Sequence, residues 1–116
     1  MEPFELAARR KTLGLSQRDL ADILDISQAK LAHMERGARA VPAGFSDELA
    51  ILEDRTEARA AQLAARPLSE IVVADEPMEH TAAAWAAARL RRGGHSVRIV
   101  AARPNAVFLD DQDDAG

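Results

Sequence analysis

The 116 residues are enough for one or two small domains with a modest core, and the absence of cysteine excludes disulfides and thiolate zinc sites. Hydrophobic residues make up 47% of the chain but aromatic residues only 3%, so alanine and branched aliphatic side chains must fill the interior. The net charge of −4 argues at first against a nucleic-acid partner, but residues 1–44 hold seven basic and six acidic residues, and the acidic excess follows them.

The first predicted helix covers residues 4–12 and ends at Gly14. Its candidate buried residues are Phe4, Leu6 and Ala7. The basic run Arg9-Arg10-Lys11 cannot lie on one side of this helix, because consecutive residues are spread around the axis. For Arg9, a solvated surface position and a functional position are both open.

Two short helices joined by a tight turn follow between Leu13 and Gly37. Each begins with a serine followed by a glutamine, Ser16-Gln17 and Ser27-Gln28, and a serine at this position accepts a hydrogen bond from a free helix amide. The first helix has a regular apolar stripe, and the second has a shorter one; their members are Leu20, Ala21, Ile23 and Leu24, then Leu31 and Met34. Gly37 provides a left-handed residue after the second helix.

This pair of helices resembles the helix-turn-helix of the phage repressor and Cro (Xre) family. The matching residues are Leu13-Gly14-Leu15-Ser16-Gln17, Leu20-Ala21, Ile26-Ser27, Leu31 and Met34-Glu35-Arg36-Gly37. The resemblance covers about the first half of the chain and implies a sequence-specific DNA-binding protein. One departure is Asp25, at the corner where the family usually has glycine. Aspartate tolerates a positive φ better than most residues, so we expect the turn to form with some strain.

In this family the second helix of the pair enters the major groove of double-stranded DNA, and its first residues meet the base edges. The candidate base contacts are Gln28, Ala29, Lys30 and His33. A carboxamide pairs with adenine through two hydrogen bonds, which makes Gln28 the best candidate for direct readout. For Lys30 a purely solubilising role is the alternative, and for His33 a contact and no contact are equally open.

Other residues are expected to bind phosphate and fix the register of the protein on DNA; they are Gln17, Ser27, Arg10, Arg36 and Arg39. Ser27 would cap its helix with or without DNA. The resemblance also implies a structural ion pair between Arg10 and Glu35, which would tie the first helix to the end of the third.

The second half of the chain has a different pattern. Ser46 is expected to cap a long helix that ends at Arg66-Pro67. A short β-rich run at residues 71–74 follows, and then a helix that begins at Pro77 and ends before Gly93-Gly94. Two further strands are predicted at residues 97–101 and 106–109, and the acidic end is predicted to be disordered.

We therefore predict an α+β protein, with an N-terminal all-α, lambda-repressor-like helix-turn-helix followed by a small C-terminal β-α-β-β dimerisation domain. Its divisions are a DNA-binding domain at 1–45, a connector helix at 46–66, an α/β domain at 67–110 and an acidic tail at 111–116. The small sheet would leave an edge and an apolar face that a second copy can cover. Trp85 is interpreted as core, with an interface anchor as the alternative.

A homodimer also suits a helix-turn-helix, because one recognition helix reads only a few base pairs and two copies read a palindrome. The second half weakly resembles regulators associated with anti-CRISPR operons, on its element order and on Ala40-Val41-Pro42. That resemblance favours a dimeric autorepressor. The alternative is an antitoxin, whose second half binds a toxin protein while its first half represses the shared operon.

No catalytic role is expected, because the sequence has neither a glycine-rich phosphate loop nor a nucleophile with an adjacent base. No metal site or cofactor is expected either; Glu79 and His80 are adjacent on a helix and do not face each other. The chain has no apolar run long enough for a membrane and no signal-peptide pattern, which predicts a cytoplasmic protein. The operator, the regulated genes, activation as against repression, and any small-molecule effector cannot be read from the sequence.

Overall fold

The computed structural model describes residues 1–65 and 69–101. Five helices and two strands follow one another in these ranges, in the order α1 Pro3–Thr12, α2 Gln17–Leu24, α3 Gln28–Glu35, α4 Phe45–Ala64, β1 Glu70–Val73, α5 Pro77–Arg92 and β2 Arg98–Ala101. The four helices of the first part are followed by one strand–helix–strand unit.

The predicted serine caps of α2 and α3 are confirmed. The hydroxyl of Ser16 accepts a hydrogen bond from the backbone N–H of Asp19 at 3.0 Å, and the Asp19 carboxylate accepts one from the backbone N–H of Ser16 at 3.1 Å. The hydroxyl of Ser27 accepts a hydrogen bond from the N–H of Lys30 at 3.1 Å. Each cap satisfies amides that the helix leaves unpaired, so the sequence itself defines where both helices begin.

Asp25 forms the corner between α2 and α3 in the left-handed conformation, with φ 59° and ψ 46°. It is the one non-glycine residue with a positive φ among the described residues. The expected turn therefore forms with aspartate in place of glycine. The cost of a side chain in this conformation is lowest for aspartate and asparagine, whose short polar groups hydrogen-bond locally.

Two expectations for the helices are wrong. Phe4 is 74% exposed, because α1 turns Leu6 and Arg10 toward the interior and leaves Phe4 on the solvent side. Ser46 does not cap α4, which begins one residue earlier, at Phe45, with Gly44 before it. The Ser46 hydroxyl instead accepts a hydrogen bond from Arg9 at 3.0 Å, so it joins α1 to α4.

The first hydrophobic core lies between α1, α2, α3 and the first half of α4. Its buried members are Leu6, Leu13, Leu15, Leu20, Ala21, Leu31, Met34, Leu49 and Leu52. None of these nine is aromatic, in agreement with a composition poor in aromatic residues. The core holds the two helices of the helix-turn-helix against α1 and α4.

The second core lies between the sheet, α5 and the second half of α4. Its buried members are Ala60, Ile71, Val73, Ala82, Ala83, Ala86, Ala87, Leu90 and Val97. Strands β1 and β2 pair in parallel, with Ile71 opposite Ile99, and α5 connects them. The predicted strand–helix–strand order is present, whereas the predicted strand at 106–109 and the acidic tail lie outside the described residues.

Helix α4 contributes to both cores, with Leu49 and Leu52 in the first and Ala60 in the second. Trp85 on α5 is half-buried and packs against both. The strand–helix–strand unit therefore packs directly against α4, which also belongs to the helical first part. None of the helices in the described ranges is both long and apolar enough to cross a membrane.

Candidate nucleic-acid interface

Helix α3 has one buried side and one exposed side. Leu31 and Met34 are fully buried in the first core and anchor the helix. Gln28, Ala29 and His33 are exposed, and Lys30 is partly exposed. Because residues four apart lie on one side of a helix, Ala29 and His33 share one surface, and Gln28 is exposed at the N-terminal end of the same helix. The structure thus places all four predicted base-contacting residues where a partner can reach them.

The C-terminal end of α3 is held by a buried ion pair. The Nε of Arg10 donates to Glu35 Oε2 at 2.7 Å, and its Nη2 donates to Oε1 at 3.0 Å. The two side chains are only 10% and 6% exposed. A bidentate pair fixes both distance and orientation, so α1 and the end of α3 are held in one geometry.

Two more groups complete this cluster. The Nη1 of Arg10 donates to the carbonyl oxygen of Leu15 at 2.9 Å, and the side-chain amide of Gln17 donates to Glu35 Oε1 at 3.0 Å. Burial acts to raise the pKa of Glu35, but the hydrogen bonds from Arg10 and Gln17 and the charge of Arg10 outweigh it and hold the pKa below the ordinary 4.5. Glu35 is therefore ionised at neutral pH.

These contacts separate the two roles predicted for Arg10. The structure brings Arg10 and Glu35 together as the structural pair, and it does not present the Arg10 guanidinium to a phosphate, because the group is buried and its nitrogens bind internal acceptors. Gln17 is held in part by the same cluster. One of its amide hydrogens is bound to Glu35, which leaves the other for a phosphate.

The remaining predicted phosphate contacts are exposed. Ser27 lies at the start of α3, Arg36 directly follows the last residue of α3, and Arg39 lies in the segment before α4. Arg18, in the first turn of α2, is also exposed and is not among the predicted contacts. It lies next to Gln17, at the capped start of α2.

Arg9 is a structural residue that sequence reasoning left open. Its Nε and Nη2 donate to Glu53 on α4 at 2.9 and 2.7 Å, and its Nη1 donates to Ser46 at 3.0 Å. The hydrogen bonds from Arg9 hold the pKa of the Glu53 carboxyl below its ordinary value. Glu53 is 44 residues away in the chain, so helical spacing could not have revealed it.

Helices α2 and α3 are thus two capped helices at a tight corner; α3 is exposed on its outer side, and the Arg10–Glu35 pair holds its C-terminal end. Residues 4–63, more than half of the chain, match the family described as helix-turn-helix domain. The chain belongs to this family. The helix-turn-helix match indicates a DNA-binding protein that acts in the regulation of transcription. It ends within α4, so the strand–helix–strand unit lies outside it. No curated protein matches the sequence.

Proposed function

We propose that the chain is a homodimeric transcriptional repressor that binds a palindromic operator through the major groove and represses its own gene. The observation that carries this proposal is the exposed side of α3 with Gln28, Ala29 and His33, held in place by the Arg10–Glu35 pair. The same features favour the phage repressor and Cro (Xre) family within the wider helix-turn-helix group.

The chemistry of the exposed side suits DNA. Gln28 has both a donor and an acceptor for the edge of adenine, and the methyl group of Ala29 suits the thymine methyl. Lys30, Arg36 and Arg39 provide positive charge on and beyond the same helix. Local charge of this kind governs phosphate binding even in a protein whose net charge is −4.

A dimer is supported by the sheet. Parallel strands are ordinarily covered on both faces, and two strands alone are rarely stable. Helix α5 packs on one face, whereas Val72, whose side chain points to the other face, is 59% exposed. A second copy covering that face would place two recognition helices on one operator.

The test begins with selection of duplexes from a random library by the purified full-length chain. The expected result is enrichment of a palindrome whose half-sites are about one helical turn, roughly 10 base pairs, apart. Binding is then measured by fluorescence anisotropy against the selected duplex and a scrambled one. A footprint on the DNA upstream of its own gene, with loss of transcription from that promoter in vitro, tests autorepression. A protein that enriches no duplex, or binds the two duplexes equally, contradicts the proposal.

A further inference from the structure

Helix α5 contacts the loop between α1 and α2, directly before the helix-turn-helix. Thr81 on α5 is only 8% exposed, and its hydroxyl donates a hydrogen bond to the carbonyl oxygen of Leu13 at 2.7 Å. The carbonyl oxygen of Pro77, one turn earlier on α5, lies 3.1 Å from the Thr81 hydroxyl oxygen. A hydroxyl has one proton to donate, and the shorter contact to Leu13 takes it.

The loop is shaped to receive this side chain. Gly14 has φ +74°, and a Cβ at this position would clash with the Thr81 hydroxyl oxygen. Glycine is therefore required at this position for two reasons, the backbone conformation and the close approach of α5. The carbonyl of Leu13 and the bare α-carbon of Gly14 together form the seat of Thr81.

The next residue of the loop connects this seat to the recognition helix. Leu15 accepts the hydrogen bond from Arg10 Nη1 at 2.9 Å, and its own N–H donates to the carbonyl of Arg10 at 3.2 Å. Arg10 in turn holds Glu35 at the C-terminal end of α3. A continuous path of contacts therefore runs from Thr81 through the loop and Arg10 to Glu35.

We propose that Thr81 is a positioning residue for DNA recognition, which fixes the orientation of α3 through the Leu13–Leu15 loop and the Arg10–Glu35 pair. A helix of eight residues is not stable by itself, so its orientation depends on such tertiary contacts. This role rests on the proposed DNA-binding function and goes beyond it. It gives the strand–helix–strand unit a part in reading each half-site, in addition to joining two copies.

A purely structural Thr81 would behave differently. It would join α5 to the loop and add to the stability of the fold, but the affinity for DNA of the folded protein would not depend on it. A positioning residue affects the ratio of specific to non-specific affinity at a temperature where the protein is fully folded. Non-specific affinity depends on phosphate contacts and tolerates a small change in the orientation of α3.

The experiment compares Thr81→Val, which keeps the shape and removes the hydroxyl, with Thr81→Ser, which keeps the hydroxyl. The first readout is the NMR signal of the Arg10 Nε–H without DNA, which reports on the pair with Glu35. The second is the ratio of affinities for a duplex with one selected half-site and a scrambled duplex. A single half-site removes dimerisation from the comparison.

We expect Thr81→Val to shift the Arg10 signal and to lower the affinity ratio by up to about tenfold, the limit reached if the whole net contribution of one hydrogen bond is transmitted to α3. Thr81→Ser is expected to retain both wild-type values. An unchanged affinity ratio in Thr81→Val overturns the proposal, whatever happens to its unfolding midpoint. If the wild-type chain binds all duplexes equally, the proposed function fails, and the Arg10 signal alone decides whether the path exists.

A second pair of variants keeps the test decisive if Thr81→Val is poorly folded. Gly14→Ala and Gly94→Ala both place a side chain at a positive φ, but only the first meets Thr81; Gly94 has nothing within 4 Å. Trp85 fluorescence shows the temperature range in which each variant is folded. We expect Gly14→Ala to shift the Arg10 signal and lower the affinity ratio, and Gly94→Ala to do neither. The same ratio in both variants overturns the proposal.

Discussion

Gln28 is the exposed residue of α3 with the most specific chemistry toward a base, because its amide matches the donor and acceptor of adenine. We expect Gln28→Ala to relax the preference at one base position of each half-site, with a loss of about 1–3 kcal/mol against the preferred base. Anisotropy titrations with single-base variants of the selected duplex measure this effect. Gln62→Ala on α4 is the matched control, and an equal effect there would rule out direct readout by Gln28.

Arg36 follows α3 directly and is exposed, as a phosphate contact requires. We expect Arg36→Ala to weaken binding to selected and scrambled duplexes alike. The slope of log affinity against log salt concentration should fall by about 1, because one fewer counterion is released. Arg55→Ala, at an exposed position of α4, removes the same charge elsewhere. If both variants change the slope equally, the change in net charge explains the effect, and Arg36 makes no phosphate contact.

Glu35 makes the stability of the protein depend on pH. Burial raises its pKa, but Arg10 and Gln17 lower it more, so the folded-state pKa lies below the ordinary 4.5. The ionised carboxylate therefore stabilises the fold above pH 4.5, and this contribution is lost as the pH falls through the folded-state pKa. We expect the free energy of unfolding of Glu35→Gln to fall less than that of the wild type between about pH 6 and about pH 3.5.

Urea unfolding followed by Trp85 fluorescence measures both free energies. Asp54→Asn on α4 serves as the control, because Asp54 is exposed and makes no ion pair within the described ranges. It should keep the acid dependence of the wild type. Equal acid dependence in Glu35→Gln and the wild type would show that the pair with Arg10 contributes nothing to stability at neutral pH.

The helices of the first half were predictable because the signals that define them are local. Ser16 and Ser27 cap helices that begin at the next residue, and Asp25 takes the left-handed corner. Caps and corners depend on hydrogen bonds within a few residues, so a short stretch of sequence contains the whole signal. Ser46 shows the limit of this reasoning: it resembles a helix cap in the sequence, but its hydroxyl accepts a hydrogen bond from Arg9 on another helix.

Contacts between distant elements were not predictable in the same way. Thr81 and Leu13 are 68 residues apart, and Arg9 and Glu53 are 44 apart, so no helical or strand spacing relates them. The Arg10–Glu35 contact was anticipated only because the chain resembles a family in which the matching residues pair. The exposed side of α3 could be predicted from its apolar residues Leu31 and Met34. That the Arg10 guanidinium is buried, and so cannot contact a phosphate, is visible only in the structure.

The corner between α2 and α3 offers a test at the scale of an element. Asp25 has φ 59°, where a side chain costs about 1 kcal/mol and glycine costs little. We expect Asp25→Gly to raise the free energy of unfolding by up to about 1 kcal/mol, measured by urea unfolding. Asp22→Gly, within α2, should lower it by roughly 0.3 kcal/mol, because aspartate is itself a weak helix former. A destabilised Asp25→Gly would mean that the aspartate side chain contributes more to the turn than its conformation costs.

At the scale of the whole molecule, the two cores form one continuous support for α3. Helix α4 and Trp85 contribute to both, and Thr81 joins α5 to the loop beside Arg10. The strand–helix–strand unit therefore packs against the same helices that hold α3. In this arrangement a second copy bound at the sheet would also define the distance between two recognition helices, and through it the spacing of the operator half-sites.

The proposed dimer is tested through the exposed face of the sheet. Val72 on β1 and Ile51 on α4 are 59% and 53% exposed, so a charge at either position costs the isolated chain a similar, small amount. If a second copy covers the sheet, Val72→Glu buries an unpaired charge in the dimer and should shift the protein to monomer. Sedimentation should then give about 25 kDa for the wild type and for Ile51→Glu, twice the 12.5 kDa of one chain, and about 12.5 kDa for Val72→Glu.

A wild-type monomer at high concentration would contradict the dimer itself, and a dimeric Val72→Glu would contradict the sheet as its interface. In the second case the two recognition helices would have to be spaced by another surface, and the operator spacing would no longer follow from the position of β1.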